Sequence, residues 1–309
     1  MRYSLLSRFR GCFLGAALGE TLALDGKKQS HQSVGWGRIA VLGAKSLIQC
    51  GRFDLQDWRD ALLSCDSVLR LLPESSKQDM VNRVSTGAII ATLPLSLFYH
   101  ENEIKLRQNL LTLVDIWQQD SVTRDGALAV GYITLQSLTE KLNRATLIPQ
   151  TIDFLGSASQ VAQHLAQVQK LLEQDAGLER AITELARDSQ PSTPIALAFY
   201  CFLSTLEDLR LSILRAARTG YQSEITSAIT GAMSGAYNST SGMTATLRMT
   251  LFQLDTKPLA AWGMKTEAEM LQLSDSLIAV WSGVYDKATY PDELNSVAAI
   301  AAPQVIRSC

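Results

Sequence analysis

What is scarce in this sequence narrows its chemistry first. Only three histidines occur in 309 residues. They stand far apart at His31, His100 and His164, and no H-E-x-x-H grouping exists. All three read as ordinary surface or boundary residues, with a small functional weight for His31. Five cysteines, at 12, 50, 65, 201 and 309, form no C-x-x-C and no metal-knuckle spacing. Reduced thiols in a cytoplasmic protein are the expectation. No serine sits in G-x-S-x-G, and no P-loop or dinucleotide fingerprint is present. Charge of one sign never accumulates. The net charge is -2 with both signs interspersed, so nothing points to nucleic acid or an anionic membrane as partner. The longest apolar run, "TGAIIATLPLSLFY", falls short of the roughly 20 residues a membrane span needs. Alternating strand patterns and hairpin dipeptides are missing as well.

What is present is helical. Apolar residues make up 47% of the chain, enough for a substantial core. "LAQVQKLLEQDAGLERAITELARD" sets Leu165, Val168, Leu172, Leu178, Ile182 and Leu185 at helical spacings. "DLQDWRDALLSCDSVLRLLP" has Asp54 as N-cap, Trp58, Leu62 and Leu63 on one face, and Pro73 as a stop. "NEIKLRQNLLTLVDIWQQ" repeats the pattern with Ile104, Leu111, Val114 and Trp117. The N-terminal "MRYSLLSRFRGCFLGAALGE" resembles a leader, but its arginines and the lack of an A-x-A site make it a core helix. No stretch reads as a long interdomain linker. The expectation is one all-α domain over residues 1–309, a single orthogonal multi-helix bundle.

Glycine spacing adds a packing prediction. Gly11, Gly15 and Gly19 share one helix face, and Gly231 and Gly235 share another, with Ala228 and Ala232 nearby. Glycine in a helix interior costs up to about 1 kcal/mol. Its repetition predicts two helices whose backbones approach closely.

Four stretches, in order, resemble the ADP-ribosylglycohydrolase family. It includes the dinitrogenase reductase-activating glycohydrolases and the arginine and serine ADP-ribosyl hydrolases. "RFRGCFLGAALGETLAL" is similar to the family's opening R-x-R-G-x-L-x-G-x-A-x-G-D-A-L-G. "GWGRIAVLGAKSLIQCGRFDLQDW" resembles its D-D-T-Q-M segment, and "TGAIIATLPLSLF" the frame N-G-A-A-M-R-x-A-P-L-G-L. "GYQSEITSAITGAMSGAYNS" resembles G-G-D-T-D-T-x-x-A-I-x-G-A-L-x-G-A-Y-x-G. The resemblance implies an all-α orthogonal bundle. It also implies two Mg²⁺ or Mn²⁺ ions and hydrolysis of the bond joining ADP-ribose to a protein side chain.

Hard dications take oxygen ligands, chiefly carboxylates. Residue by residue, the ligands have changed. Gly35, Trp36 and Gly37 stand at the D-D-T positions and Arg38 at the glutamine. Gln222, Ser223, Glu224 and Ile225 stand at D-T-D-T, and Glu20 replaces the aspartate of the opening segment. Thr86 replaces the asparagine of N-G-A-A-M-R and Ala91 its arginine, while Trp117 and Gln118 align with a T-H pair. The weak metal-ligand candidates are Glu20, Glu224, Gln222 and Ser223. The degenerate pocket is expected from Trp36, Arg38, Thr86, Trp117, Gln118 and Tyr221. One expectation is that Arg38 replaces the metals by pairing with Glu224 or Glu20. No catalytic residue and no cofactor are expected on this reading. The start of the last segment stays open between a Thr219–Gln222 capping box, a ligand-binding remnant and a metal site.

Three functions follow. The first is a non-catalytic ADP-ribosylglycohydrolase-like protein with a binding or regulatory role, its partner an ADP-ribose-like ligand or another protein. The second is an active hydrolase using Mg²⁺ or Mn²⁺. The third is a structural protein, as in the lens crystallins that resemble this family.

Overall fold

Leu5–Asp25 (α1) is built mostly of apolar and small residues with a few charged ones near its ends, a pattern that belongs in the interior. Phe9, Cys12, Phe13, Leu14, Ala16, Ala17 and Leu18 are all fully enclosed. The computed structural model describes residues 3–25, 35–63, 86–116, 120–156, 158–253 and 258–284. These residues hold helices and no strand, so the chain is an all-α bundle. After α1 come α2 (Trp36–Cys50), α3 (Leu55–Leu63), α4 (Leu93–Phe98), α5 (Glu103–Val114), α6 (Ser121–Leu138) and α7 (Leu147–Leu155). Then follow α8 (Gln160–Glu173), α9 (Leu178–Leu185), α10 (Thr193–Ser204), α11 (Leu209–Ala217) and α12 (Ser223–Asn238). The last are α13 (Ala245–Gln253), α14 (Pro258–Ala261) and α15 (Glu267–Trp281). No helix among the described residues is long and apolar enough to cross a membrane.

The centre is the pair α1 and α12, and the glycine spacing predicts it. A Cβ built on Gly11 would overlap the carbonyl of Gly235, one on Gly15 that of Gly231, and one on Gly19 that of Ser227. The rungs run in opposite directions along the two helices, so the pair is antiparallel, and the next rung sets Ala23 against Ser223. Each glycine Hα faces a carbonyl instead, the Cα–H···O arrangement of close helix crossings. A second face of α12 carries Thr226, Thr230, Ser234 and Asn238. Thr226, Thr230 and Asn238 donate to backbone of the preceding turn or of α10 and its exit, as with Asn238 Nδ2 to Leu206 O at 2.8 Å, and Ser234 Oγ accepts from Asn238. Small residues thus let neighbours close on α12 from both sides.

Local signals fix the helix ends. Asp54 accepts from Gln56 and Asp57 N–H groups ahead of α3, as expected. Asn102, Asp120, Ser159, Asp208 and Thr266 cap α5, α6, α8, α11 and α15 in the same way. Two expectations need correction. The 165–185 stretch is two helices, broken at 174–177 where Asp175 takes a positive φ of 46°. In α5 the buried face is Leu106, Leu110, Leu113 and Val114, while Ile104 is 79% exposed. Two overlapping apolar stripes exist there, and the one facing α6 wins. Pro73 and Trp117 lie outside the described residues.

The family-like R-x-R opening has a structural reason. Buried Arg8 donates to the Ser137 carbonyl and, at 2.5 Å, to Glu140, closing the C-terminal end of α6. Arg10 makes a bidentate pair with Asp275 of α15 at 2.6 and 2.5 Å. Between them, Phe9 packs against His100 and Trp281. Three consecutive residues therefore tie α1 to three other elements.

Candidate functional site

The other end of the α1–α12 pair collects the residues singled out in the sequence. Contacts there close into a ring. Trp36 lays its indole on Gly87, where a Cβ would overlap the ring nitrogen. Neighbouring Thr86 donates its hydroxyl to the Pro191 carbonyl at 3.2 Å. The Tyr221 hydroxyl donates to the Ser189 carbonyl at 2.9 Å, two residues earlier in the same loop. Tyr221 leads into α12, whose Ser227 backbone meets Gly19. Glu20, next to Gly19, accepts from the Trp262 indole at 2.7 Å. The Trp262 ring covers Gly37, one residue from Trp36. Glu20, Trp36, Thr86 and Tyr221, spread over some 200 positions, are thus linked by one chain of contacts, and Gln222, Ser223 and Glu224 follow Tyr221 in sequence.

Both helices that start at this ring start unusually. The residue before α2 is Gly35, with φ 76° and no side-chain cap. The residue before α12 is Gln222, with φ 39° and ψ 47°, again uncapped. A helix normally begins on an extended residue, as at the five capped helices above. Glycine adopts the left-handed region freely, whereas glutamine carries about 1 kcal/mol of strain there. The expected Thr219–Gln222 capping box is therefore absent. Thr219 donates to the Ala216 carbonyl at 2.8 Å, and Gln222 itself becomes the cap position. The side-chain oxygens of Gln222, Ser223 and Ser227 are buried without a hydrogen-bond partner among the described residues. Such atoms are few in native proteins and cluster where something else is meant to satisfy them.

Arg38 does not do what its sequence position suggested. It is exposed, and its stem lies along Gly263, where an added Cβ would crowd the Arg38 Cγ. No ion pair joins it to Glu20 or Glu224 among the described residues. On α2 the buried positions are Trp36, Gly37, Ile39 and Ala40, which turns residue 38 to the opposite side. Glu20 is instead 8% exposed and held by an indole N–H, a buried acid with a packing partner. Glu224 is half-buried in the first turn of α12. Trp117, Gln118 and His31 lie outside the described residues. His100, expected at a boundary, is enclosed. His164 is half-buried, with Nδ1 2.9 Å from Ser192 Oγ, and burial lowers its pKa.

Sequence reasoning missed Trp262 and the 189–191 loop. Trp262 stands 242 positions from Glu20, and the loop contributes carbonyls, which every residue has. Two hard dications need many converging oxygens; among the described residues no group of three or more His, Cys, Asp or Glu comes together.

A model of the ADP-ribosylglycohydrolase family matches residues 1–285. No curated protein sequence matches the chain. Among matching solved structures is one described as an ADP-ribosylglycohydrolase-related protein complex. It has a TM-score of 0.56 at 15% identity, covering 90% of this chain and 99% of that one. At that identity the likeness carries the fold alone.

Proposed function

This chain belongs to the ADP-ribosylglycohydrolase family, and from that premise we propose that it keeps the family scaffold without the family's two-metal chemistry. Its role is non-catalytic: a binding or regulatory protein whose site takes an ADP-ribose-like ligand. The observation that carries this reading is the start of α2. At the positions where the resemblance places paired aspartates stand Gly35, which has no side chain, and Trp36, whose buried indole is wedged onto Gly87. An indole fills volume and offers one N–H donor. It cannot ligate a hard cation. Glu20 is drawn away by Trp262, which leaves Glu224 as the carboxylate of the resembling motif.

A binding role is supported by the partnerless oxygens of Gln222, Ser223 and Ser227. Hydroxyls and an amide suit a hydroxyl-rich ligand, since each can give and accept hydrogen bonds. The test is a thermal-shift titration of the full chain with ADP-ribose, with and without Mg²⁺ or Mn²⁺. A hydrolysis assay on arginine- and serine-linked ADP-ribosyl peptides runs beside it. Stabilisation by ADP-ribose alone, with no hydrolysis, is the expected result. Stabilisation that requires metal, or any metal-dependent turnover, overturns the reading.

A further inference from the structure

His100 follows α4 and is 2% exposed. Its Nδ1 stands 2.7 Å from the Leu97 carbonyl. A carbonyl oxygen has no proton to give, so Nδ1 carries the hydrogen and the lone pair of the neutral ring lies on Nε2. Two aromatic side chains from different helices flank the ring. Phe9 of α1 meets it edge-on at 5.6 Å between centroids, and Trp281, the last residue of α15, lies at 4.8 Å. Phe9 and Trp281 also approach each other, at 6.5 Å. Three elements distant in sequence share one imidazole.

Charges near this junction are engaged elsewhere. Arg8 and Arg10, on either side of Phe9, pair with Glu140 and Asp275. Asp275 lies on α15 six residues before Trp281, and Glu101, next to His100 in the chain, is exposed. Among the described residues, no charged side chain contributes to the environment of His100. Burial pushes its pKa down to about 4, against an opposing pull from the Leu97 carbonyl. A proton added at Nε2 would create a desolvated cation with no carboxylate beside it. Contact with two aromatic faces offsets part of that cost, but water offers more.

We propose that His100 is a proton-operated release for the end of α15: protonation at Nε2 drives the ring out from between Phe9 and Trp281 and unseats Trp281 from α1. The sign follows from linkage. A released ring titrates near 6.5, well above the enclosed one. The docked end is therefore fully favoured above pH 6.5, and loses ground as pH falls towards the enclosed value. Across that window the released form gains about tenfold per pH unit.

Hydrogen exchange on the full chain tests this, corrected for intrinsic rates and read at residues 276–284 and at α12. In the native sequence, the opening equilibrium of residues 276–284 should rise about fifteenfold between pH 6.5 and 5, with α12 unchanged. His100→Asn keeps a donor for Leu97, and His100→Phe keeps the ring. Both should flatten the rise to under about threefold. If one does not fold, the other decides. The same pH slope in a folded variant, a flat profile in the native sequence, or exchange rising equally in α12 each overturns the proposal.

Discussion

The two ends of the α1–α12 pair differ in how completely their polar groups are matched. At the start of α1, both arginines and His100 have acceptors, and the Ser137 hydroxyl is the one buried polar atom there without a partner among the described residues. Arg8 holds the end of α6, Arg10 holds Asp275, and His100 holds Leu97. At the start of α12, Gln222 sits in a strained conformation and three buried oxygens have no partner. One helix pair joins the two ends, so the contrast is not one of core quality. A well-matched end contributes stability. An unmatched end gives some of it up, which is the usual mark of a surface shaped for something other than folding.

Substitutions can break or sharpen this contrast. The largest effect should come from the shared middle. Gly15→Ala places a methyl group on the Gly231 carbonyl, where backbone meets backbone and neither can yield. A loss of about 3 kcal/mol or more is expected in urea unfolding, and a value under 1 would show that the helices slide apart freely. Next is the matched end. Arg8→Met strands the Ser137 carbonyl and Glu140 and should cost about 2 kcal/mol, since Glu140 is partly in water. Arg10→Met, at a more open pair, should cost under about 1 kcal/mol. The unmatched end should answer with the opposite sign. Gln222→Gly relieves the left-handed strain and removes a partnerless oxygen, raising stability by about 1 kcal/mol in the same experiment. Destabilisation there would mean that the glutamine is already well placed. The smallest effect belongs to Tyr221→Phe, which removes one partly exposed hydrogen bond to Ser189 and should cost about 0.5 kcal/mol.

Much of the fold is legible in the sequence because its signals are periodic. Glycines four apart predict the α1–α12 contact, and Asp54 announces α3. Where two stripes compete, as in α5, pattern alone chooses wrongly, because burial depends on which neighbour is present. The site is legible through resemblance in its positions but not in its contacts. Contacts link Trp36 to Gly87, Thr86 to the 189–191 loop, and that loop to Tyr221. Arg38, however, was matched to an acid by charge, and helical geometry turns it outward. The capping box failed because the chain begins α12 at Ser223 and uses Gln222 as the turn. Trp262 meets Glu20 across most of the chain, and no local spacing encodes that pairing.

The glycine rungs also bear on how the chain is made. α1 is made before α12, and the carbonyls that fill its glycine face arrive with α12, some 200 residues later. At about 5–20 residues per second, that wait is on the order of 10–40 seconds. Throughout it, the glycine face of α1 lacks the helix that covers it, and closing so long a loop is slow by topology. The chain should therefore depend on a chaperone during synthesis, and fragments ending before Gly231 should aggregate rather than fold.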